Sequence, residues 1–310
     1  WIKHYGFDGL RLDAVTMIRD REPVHLANEI ARELHKCSEK LNRTIHVIGE
    51  TNAYEPEFLA GQNGGLDALW IDDIAHALGK CIGFPDLSKS PVFRGLPDVC
   101  NALRQGYLFE EKTDGALRRV RHADTIQLED TVCYLQNHDI VGNRPHGKRA
   151  HHWAGLEAQR AAIALILLYP AIPLLFMGEE FAASTPFLFF ADFSDPQLRK
   201  NVEQGRMCDF RHVNLQDTLS PVDPEAFFRS RLPEASSGDK ETLEWYRRLI
   251  RIRRHWRSNG FLSTKNLTIV KNGGKRITLQ YTKGKETRFV STDLTARIPV
   301  HFDPHTCFVN

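Results

Sequence analysis

Apolar runs of strand length alternate with segments of helical period along most of this 310-residue chain. Five runs read as strands: GFDGLRLDAV, IHVIGE, GGLDALWIDD, TVCYLQNHD and AIPLLFMGEE. After the first, Pro23 opens a stretch in which Ala27, Ile30, Ala31, Leu34, Cys37 and Leu41 follow helical spacing. AHALGKCIG after the third run and LEAQRAAIALILLY after the fourth read as further helices. Strands with so little polar alternation are buried on both faces, and strands joined through helices run parallel in one sheet. The expected fold is therefore α/β, a parallel sheet covered by helices. Asp13, Glu50 and Asp139 stand at or near the ends of three of these runs. Barrel enzymes place their active sites at the carboxyl ends of such strands. Acids gathered there without cysteine or histidine ligand spacing suggest sugar chemistry before metal chemistry.

The strand count qualifies this reading. An eight-stranded barrel needs three more strands than the chain supplies, and these are expected ahead of Trp1. The sequence thus predicts the last five strands of a (β/α)8 TIM barrel over residues 1–258. After Gly260 the pattern changes, with Ile277, Leu279 and Tyr281 alternating with polar residues and NGG at 272–274 marking a hairpin turn. Residues 259–310 are read as a small antiparallel, sandwich-like β domain. The helix of KETLEWYRRLIRIRRHWR closes the first region, with Leu243, Tyr246, Leu249, Ile250 and Trp256 on one stripe. Its arginines, Arg247, Arg248, Arg251, Arg253 and Arg254, are read as a solvated face.

Charge and cysteine usage exclude other classes. A formal charge of +2 gives no basic field for nucleic acid. Pro170 and Pro173 divide the apolar stretch at 161–178, so it reads as a buried helix and strand rather than a membrane span. Six scattered cysteines have neither zinc-site nor disulfide-scaffold spacing and fit reduced thiols in the cytoplasm. His146, His151 and His152 have no carboxylate correctly placed beside them and are read as surface residues, so no metal and no cofactor is expected.

Taken singly, the candidate residues have ordinary explanations. Asp13 could cap a helix, Arg11 could form a surface ion pair, and Asn137 and Asp139 both favour a turn. Glu50 alone could simply be exposed. Their segments together say more. GFDGLRLDAV, VIGE and LQNHD resemble three of the four signature segments of the alpha-amylase family of retaining glycoside hydrolases. LQNHDIVGNR, PLLFMGEEFAASTPFLFFADFSDPQL, VEQGR and LSPVDPEAFFRSRL are similar to one branch of it, the maltooligosyltrehalose trehalohydrolases. The likeness covers roughly residues 1–257. It implies that Asp13 is the nucleophile, Glu50 the general acid/base and Asp139 the third acid, with Arg11 facing the nucleophile and His138 beside the third acid. The implied substrate is maltooligosyltrehalose or a related α-1,4-glucan, cut next to its terminal trehalose.

Elementary chemistry fits these roles. Arg11 and Asp13 are two residues apart, so a strand turns both to one face, and the guanidinium favours an ionised nucleophile. Glu50 follows the apolar VIG, a setting expected to raise its pKa. Trp70, Asp72, Asp73 and His76 end the third run, where barrel loops line the site. Trp70 reads equally well as a sugar-stacking ring and as a core residue. Asn143 and Arg144 are expected to bind substrate or fix the loop after Asp139, and Glu180 to line a subsite or cap the next loop. Asp192 in FFADF is a candidate for a binding loop.

Three departures from the family pattern stand out. Ile140 replaces the branch's glutamine after the His-Asp pair, and Ile74, Ala75 and His76 replace its Phe-His-His run. The family's first signature, with an Asn-His pair, has no counterpart. Two alternatives stay open on the sequence: a glycogen-branching or other transglycosylating relative, and a truncated non-catalytic remnant. Oligomeric state is not legible.

Overall fold

In the computed structural model the described residues are 1–51, 55–59, 65–70, 72–84, 93–111, 117–120, 126–209, 219–271, 273–274 and 276–294. Helix α1 (Ile2–Tyr5) leads into β1 (Gly9–Leu12), α2 (Leu26–Leu41), β2 (His46–Glu50), β3 (Ala68–Trp70) and α3 (Asp72–Ile82). Helix α4 (Leu96–Gln105) and an antiparallel hairpin, β4 (Phe109–Glu111) and β5 (Leu117–Arg119), come next. They are followed by β6 (Thr131–Cys133), α5 (His138–Gly142), α6 (Ala150–Ala154), α7 (Leu156–Leu167) and β7 (Ile172–Pro173). Helices α8 (Pro196–Asp209), α9 (Pro224–Ser230) and α10 (Lys240–Ser258) precede β8 (Leu267–Lys271), β9 (Arg276–Lys283) and β10 (Glu286–Asp293).

The five expected strands pair in the order β1-β2-β3-β6-β7, every pair parallel. Their register sets Arg11 beside Ile48, Glu50 beside Trp70, and Trp70 beside Val132. One side of the first pairing depends on a glycine. A Cβ on Gly9 would meet the His46 carbonyl oxygen at 2.3 Å, so only glycine lets the two backbones approach there.

Helix α7 is the centre of the core. Residues Ala158 to Leu167 are all buried, including Gln159 and Arg160. An all-round apolar helix must be covered on every side. One continuous apolar cluster joins α7 to the parallel strands, to α3, α4 and α10, and to Ile269, Ile277, Leu279, Tyr281 and Val290 of the three-stranded sheet β10-β9-β8. Polar ties cross the same contact: the Tyr281 hydroxyl donates to the Leu168 carbonyl at 2.6 Å and the Thr292 hydroxyl to the Ala161 carbonyl at 3.2 Å.

Several expectations are corrected. The fourth and fifth strands are short, because Tyr134 to Asn137 and Leu174 to Phe176 lie beyond the ladder while staying buried or half-buried. Asp139 consequently lies in the first turn of α5, where the Asn137 side chain accepts from the Ile140 amide at 2.6 Å as the N-cap. Helix α2 starts at Leu26, capped by His25, rather than at Pro23. Arg253 is no part of a solvated face: it is buried and donates to the carbonyls of Leu167, Tyr169 and Ala171 at 2.9, 2.6 and 2.7 Å. These are the orphan acceptors at the end of α7 and in the turn after it, and a guanidinium suits that negative end. His146 and His151 are half-buried, not surface residues. Residues 272 and 295–310, parts of the expected hairpin turn and terminal unit, lie outside the described residues, as does Cys307. Among the described residues no helix is long and apolar enough to cross a membrane.

Candidate active site

The side chains of Arg11, Asp13 and Glu50 meet at the carboxyl ends of β1 and β2. Arg11 Nη1 donates to Asp13 Oδ1 at 2.7 Å, and its Nη2 lies 2.9 Å from Glu50 Oε1. The Arg11 guanidinium is seated over the Trp70 ring, 4.7 Å from its centroid. Cation and ring face attract, which fixes the fork that holds both carboxylates. The two acids differ in setting: the Asp13 side chain is 77% exposed and that of Glu50 13%. The Arg11 hydrogen bond, reinforced by Arg11's charge, by Glu50 and by His138, holds the Asp13 carboxyl below its ordinary range against a smaller opposing effect of burial.

Glu50 is held by two polar partners. Its carboxyl faces Arg11 on one side, and on the other Oε2 accepts the Ala14 amide at 2.9 Å. That amide is aimed by a left-handed backbone at Ala14, with φ 45° and ψ 49°, a conformation that costs an alanine energy. No sequence signal marks Ala14, since a glycine would be the usual occupant.

Asp139 and His138 project from the start of α5. His138 Nε2 is 3.3 Å from Asp139 Oδ2, and Asn143 Nδ2 donates to Asp139 Oδ1 at 2.9 Å. Both His138 and Asp139 are about half exposed, at 49% and 46% of their side chains. Asn143 therefore ties the Asp139 carboxylate to the end of α5.

Asp72 opens α3 and accepts a hydrogen bond from the Tyr134 hydroxyl. Burial, then the charges of Glu50 and Asp139, raise its carboxyl to about 6, opposed by the Tyr134 hydrogen bond and Arg11. Asp72 thus feels the charges of Glu50, Asp139 and Arg11. Tyr134 was missed in the sequence. The available signal was a phenol inside an apolar run, whose hydroxyl needs a partner when buried. Its ring packs 5.2 Å from Trp70, which is itself only 6% exposed. Trp70 is thus a core ring supporting Arg11, with no open face for a sugar.

Asp73, His76 and Arg144 find their partners elsewhere. Asp73 is buried and accepts the amides of Leu108 and Phe109 at 2.6 and 3.3 Å, tying α3 to the hairpin strand; burial lifts it to about 7. His76 stacks on Phe93 at 5.3 Å, and burial, aided by the Arg144 charge, lowers it to about 4. Arg144 is buried, donates to the Ile140 carbonyl and covers the Phe84 ring at 4.9 Å, so it closes α5 rather than reaching into solvent. Glu180 is half-buried, while its neighbour Glu179 is fully buried. Glu179 Oε2 accepts Gln136 Nε2 at 3.1 Å, and its Oε1 accepts the Tyr246 hydroxyl at 3.3 Å. Among the described residues no group of three or more His, Cys, Asp and Glu side chains could hold a metal ion.

Comparisons with known proteins bear on this arrangement. No protein-family model matches the chain. It is similar to the malto-oligosyltrehalose trehalohydrolase of Arthrobacter ramosus, 33% identical over 82% of this chain and 46% of that one. The Mycobacterium tuberculosis protein of the same name is 35% identical over 82% and 46%. That of Deinococcus radiodurans is 31% identical over 94% and 51%. The chain spans about half the length of the curated relatives it matches. Among solved structures, a provisional alpha amylase from Salmonella typhimurium superposes with a TM-score of 0.77 at 27% identity, over 94% of this chain and 52% of that one. AmyP in complex with maltose, at 12% identity and a TM-score of 0.58, over 95% of this chain and 55% of that one, shows the fold alone. By sequence over most of its length the chain is a homologue of the curated malto-oligosyltrehalose trehalohydrolases, and its parallel strands share the fold of an alpha-amylase structure.

Proposed function

We propose that the chain carries the catalytic acids of a retaining glycoside hydrolase that cuts the α-1,4 bond next to the terminal trehalose of maltooligosyltrehalose. The observation that carries this reading is one guanidinium gripping two unequal carboxylates, Asp13 at 2.7 Å and Glu50 at 2.9 Å. Retention needs such a pair, one ionised and one bearing a proton, on opposite sides of the scissile bond. Asp13, kept ionised by Arg11, attacks the anomeric carbon as Glu50 passes its proton to the glycosidic oxygen, and trehalose leaves with that proton. Water then gives a proton back to Glu50 and its oxygen to the anomeric carbon, and Asp13 is released unchanged. Asp139 and His138 hold sugar hydroxyls and favour the oxocarbenium-like state between these steps. Trehalose as the leaving group is supported by the names of the relatives that align over most of the chain.

The test is product analysis with maltooligosyltrehalose. Asp13→Asn and Glu50→Gln are each expected to lower trehalose release by orders of magnitude with the circular-dichroism spectrum unchanged. Near-normal release from either variant would sink the assignment. New branch points in place of free trehalose would transfer the site to a transglycosylase.

A further inference from the structure

The aromatic side chains of residues 187–193 and of α9 take no part in the chemistry above, yet they are held open to solvent. Phe189, Phe190, Phe227 and Phe228 are 41%, 39%, 47% and 53% exposed. The rings of Phe187, Phe190, Phe227 and Phe228 form an unbroken line with centroids 5.9, 5.3 and 5.5 Å apart. Two hollows meet along it and share Phe190 and Phe227. One, of about 450 Å³, is edged by Asp192, Arg199 and Asp223; the other, of about 300 Å³, by Met177, Arg231 and Leu232.

The backbone beneath the rings is pinned at three points. The Phe187 amide donates to the Gly147 carbonyl at 2.9 Å, the Leu188 amide to Ser230 Oγ at 2.9 Å, and the Ala191 amide to the Pro221 carbonyl at 2.8 Å. Rings presented on a fixed backbone are preorganised, and a contiguous exposed apolar surface marks a place of contact. The segment also backs directly onto α5. Arg206 donates to the Gly142 carbonyl at 2.5 Å while its guanidinium covers Phe189 at 4.4 Å. A Cβ on Gly142 would stand 3.5 Å from the Phe187 ring. The segment that carries the rings therefore packs against the helix that carries His138 and Asp139.

Its lining selects a neutral, hydroxyl-rich ligand with apolar faces. Asp192 and Arg199 neutralise one another at 2.8 Å, and Asp223 on the same edge is balanced by Arg231 on the other, so the two hollows together offer donors and acceptors without net charge. The electron-rich faces of the rings suit the C–H faces of a pyranose. Successive rings are turned by 69°, 79° and 65°, so no flat ligand can lie on all of them. A chain that curves from one sugar to the next can.

We propose that this cleft is an accessory binding site for an α-1,4-glucan chain, adjoining the candidate catalytic acids through α5. The choice of α-1,4-glucan rests on the proposed hydrolase activity; the cleft itself does not. The test uses maltoheptaose as probe and the Asp13→Asn form of the chain, which prevents turnover. Phe190→Ala with Phe227→Ala is expected to weaken maltoheptaose binding about tenfold in calorimetry, and Phe190→Tyr with Phe227→Tyr to keep it within twofold. In the otherwise unmodified Asp13→Asn chain, a photoreactive maltoheptaose is expected to label peptides within 187–193 and 224–230. Unchanged affinity in the folded alanine pair, or labelling only elsewhere, overturns the proposal. So does a dimer that the alanine pair abolishes without affecting glucan. Labelling of the cleft, with no trehalose released by the chain that retains Asp13, would refute the hydrolase reading and leave the cleft standing; trehalose release by that chain, without labelling of the cleft in the Asp13→Asn form, would do the reverse.

Discussion

The most decisive single substitution is Glu179→Gln. Glu179 is fully buried, and burial raises its carboxyl from 4.5 to about 8, with the Glu180 charge adding to the rise and hydrogen bonds from Gln136, the Phe176 turn and Tyr246 opposing it. The folded protein therefore holds a proton on Glu179 that the unfolded chain releases at its ordinary pKa. Between pH 4.5 and about 8 the unfolded state binds fewer protons than the folded one, so stability falls as pH rises. That interval corresponds to a ceiling of about 5 kcal/mol, at about 1.4 kcal/mol for each tenfold change in proton activity. Glutamine matches the protonated acid in shape. Its oxygen can accept from Gln136 and its amide can donate to the Tyr246 oxygen. The measurement is thermal unfolding of both forms from pH 5 to 9. Near pH 5 the two are expected to melt together. Near pH 9 the variant is expected to melt higher by up to roughly 10 °C, at about 2 °C per kcal/mol for a chain of this size. Parallel curves across the whole range would show that Glu179 ionises without penalty, and the account of its burial would be wrong.

Two further outcomes are expected. Arg253→Met leaves three buried carbonyls without their donor and should cost about 3–5 kcal/mol, read as a lower denaturant midpoint at unchanged slope; a loss below 1 kcal/mol would mean water reaches those carbonyls. Arg11→Met removes the chief influence holding Asp13 ionised, so the acidic limb of the pH–rate profile should move to higher pH along with a fall in rate; an unmoved limb would separate Asp13 from that limb.

The chain's strand order and the first two acids were readable because each strand is an apolar run that stops at its carboxylate. The position of Asp139 was not. TVCYLQ continues to look like a strand, and its residues do stay buried, but they leave the ladder so that Asn137 can cap α5. The cap signal was present, an Asn three residues before Ile140, but the apolar context hid it. Arg253 and Glu179 were hidden for a different reason. Each lies next to chemically identical neighbours, Arg254 and Glu180, and only packing decides which member of the pair goes inside. Asp73, His76 and Arg144 show the converse error. Polar residues near a strand end read as facing the site, whereas Asp73 bonds to the hairpin strand, His76 stacks on Phe93 and Arg144 covers Phe84. The β4–β5 hairpin itself has too few strand-forming residues to be seen in advance.

The way α7 is enclosed has a consequence for how this architecture can change. The three-stranded sheet rests on a helix buried from Ala158 to Leu167, and its tyrosine and threonine hydroxyls are bonded to the backbone of that helix and of its C-cap. Deleting or exchanging the sheet would strand an apolar surface and expose the helix's end. Helix and sheet can therefore vary only as a matched pair, and a recombination point between residues 258 and 259 would separate two surfaces that have to be inherited together.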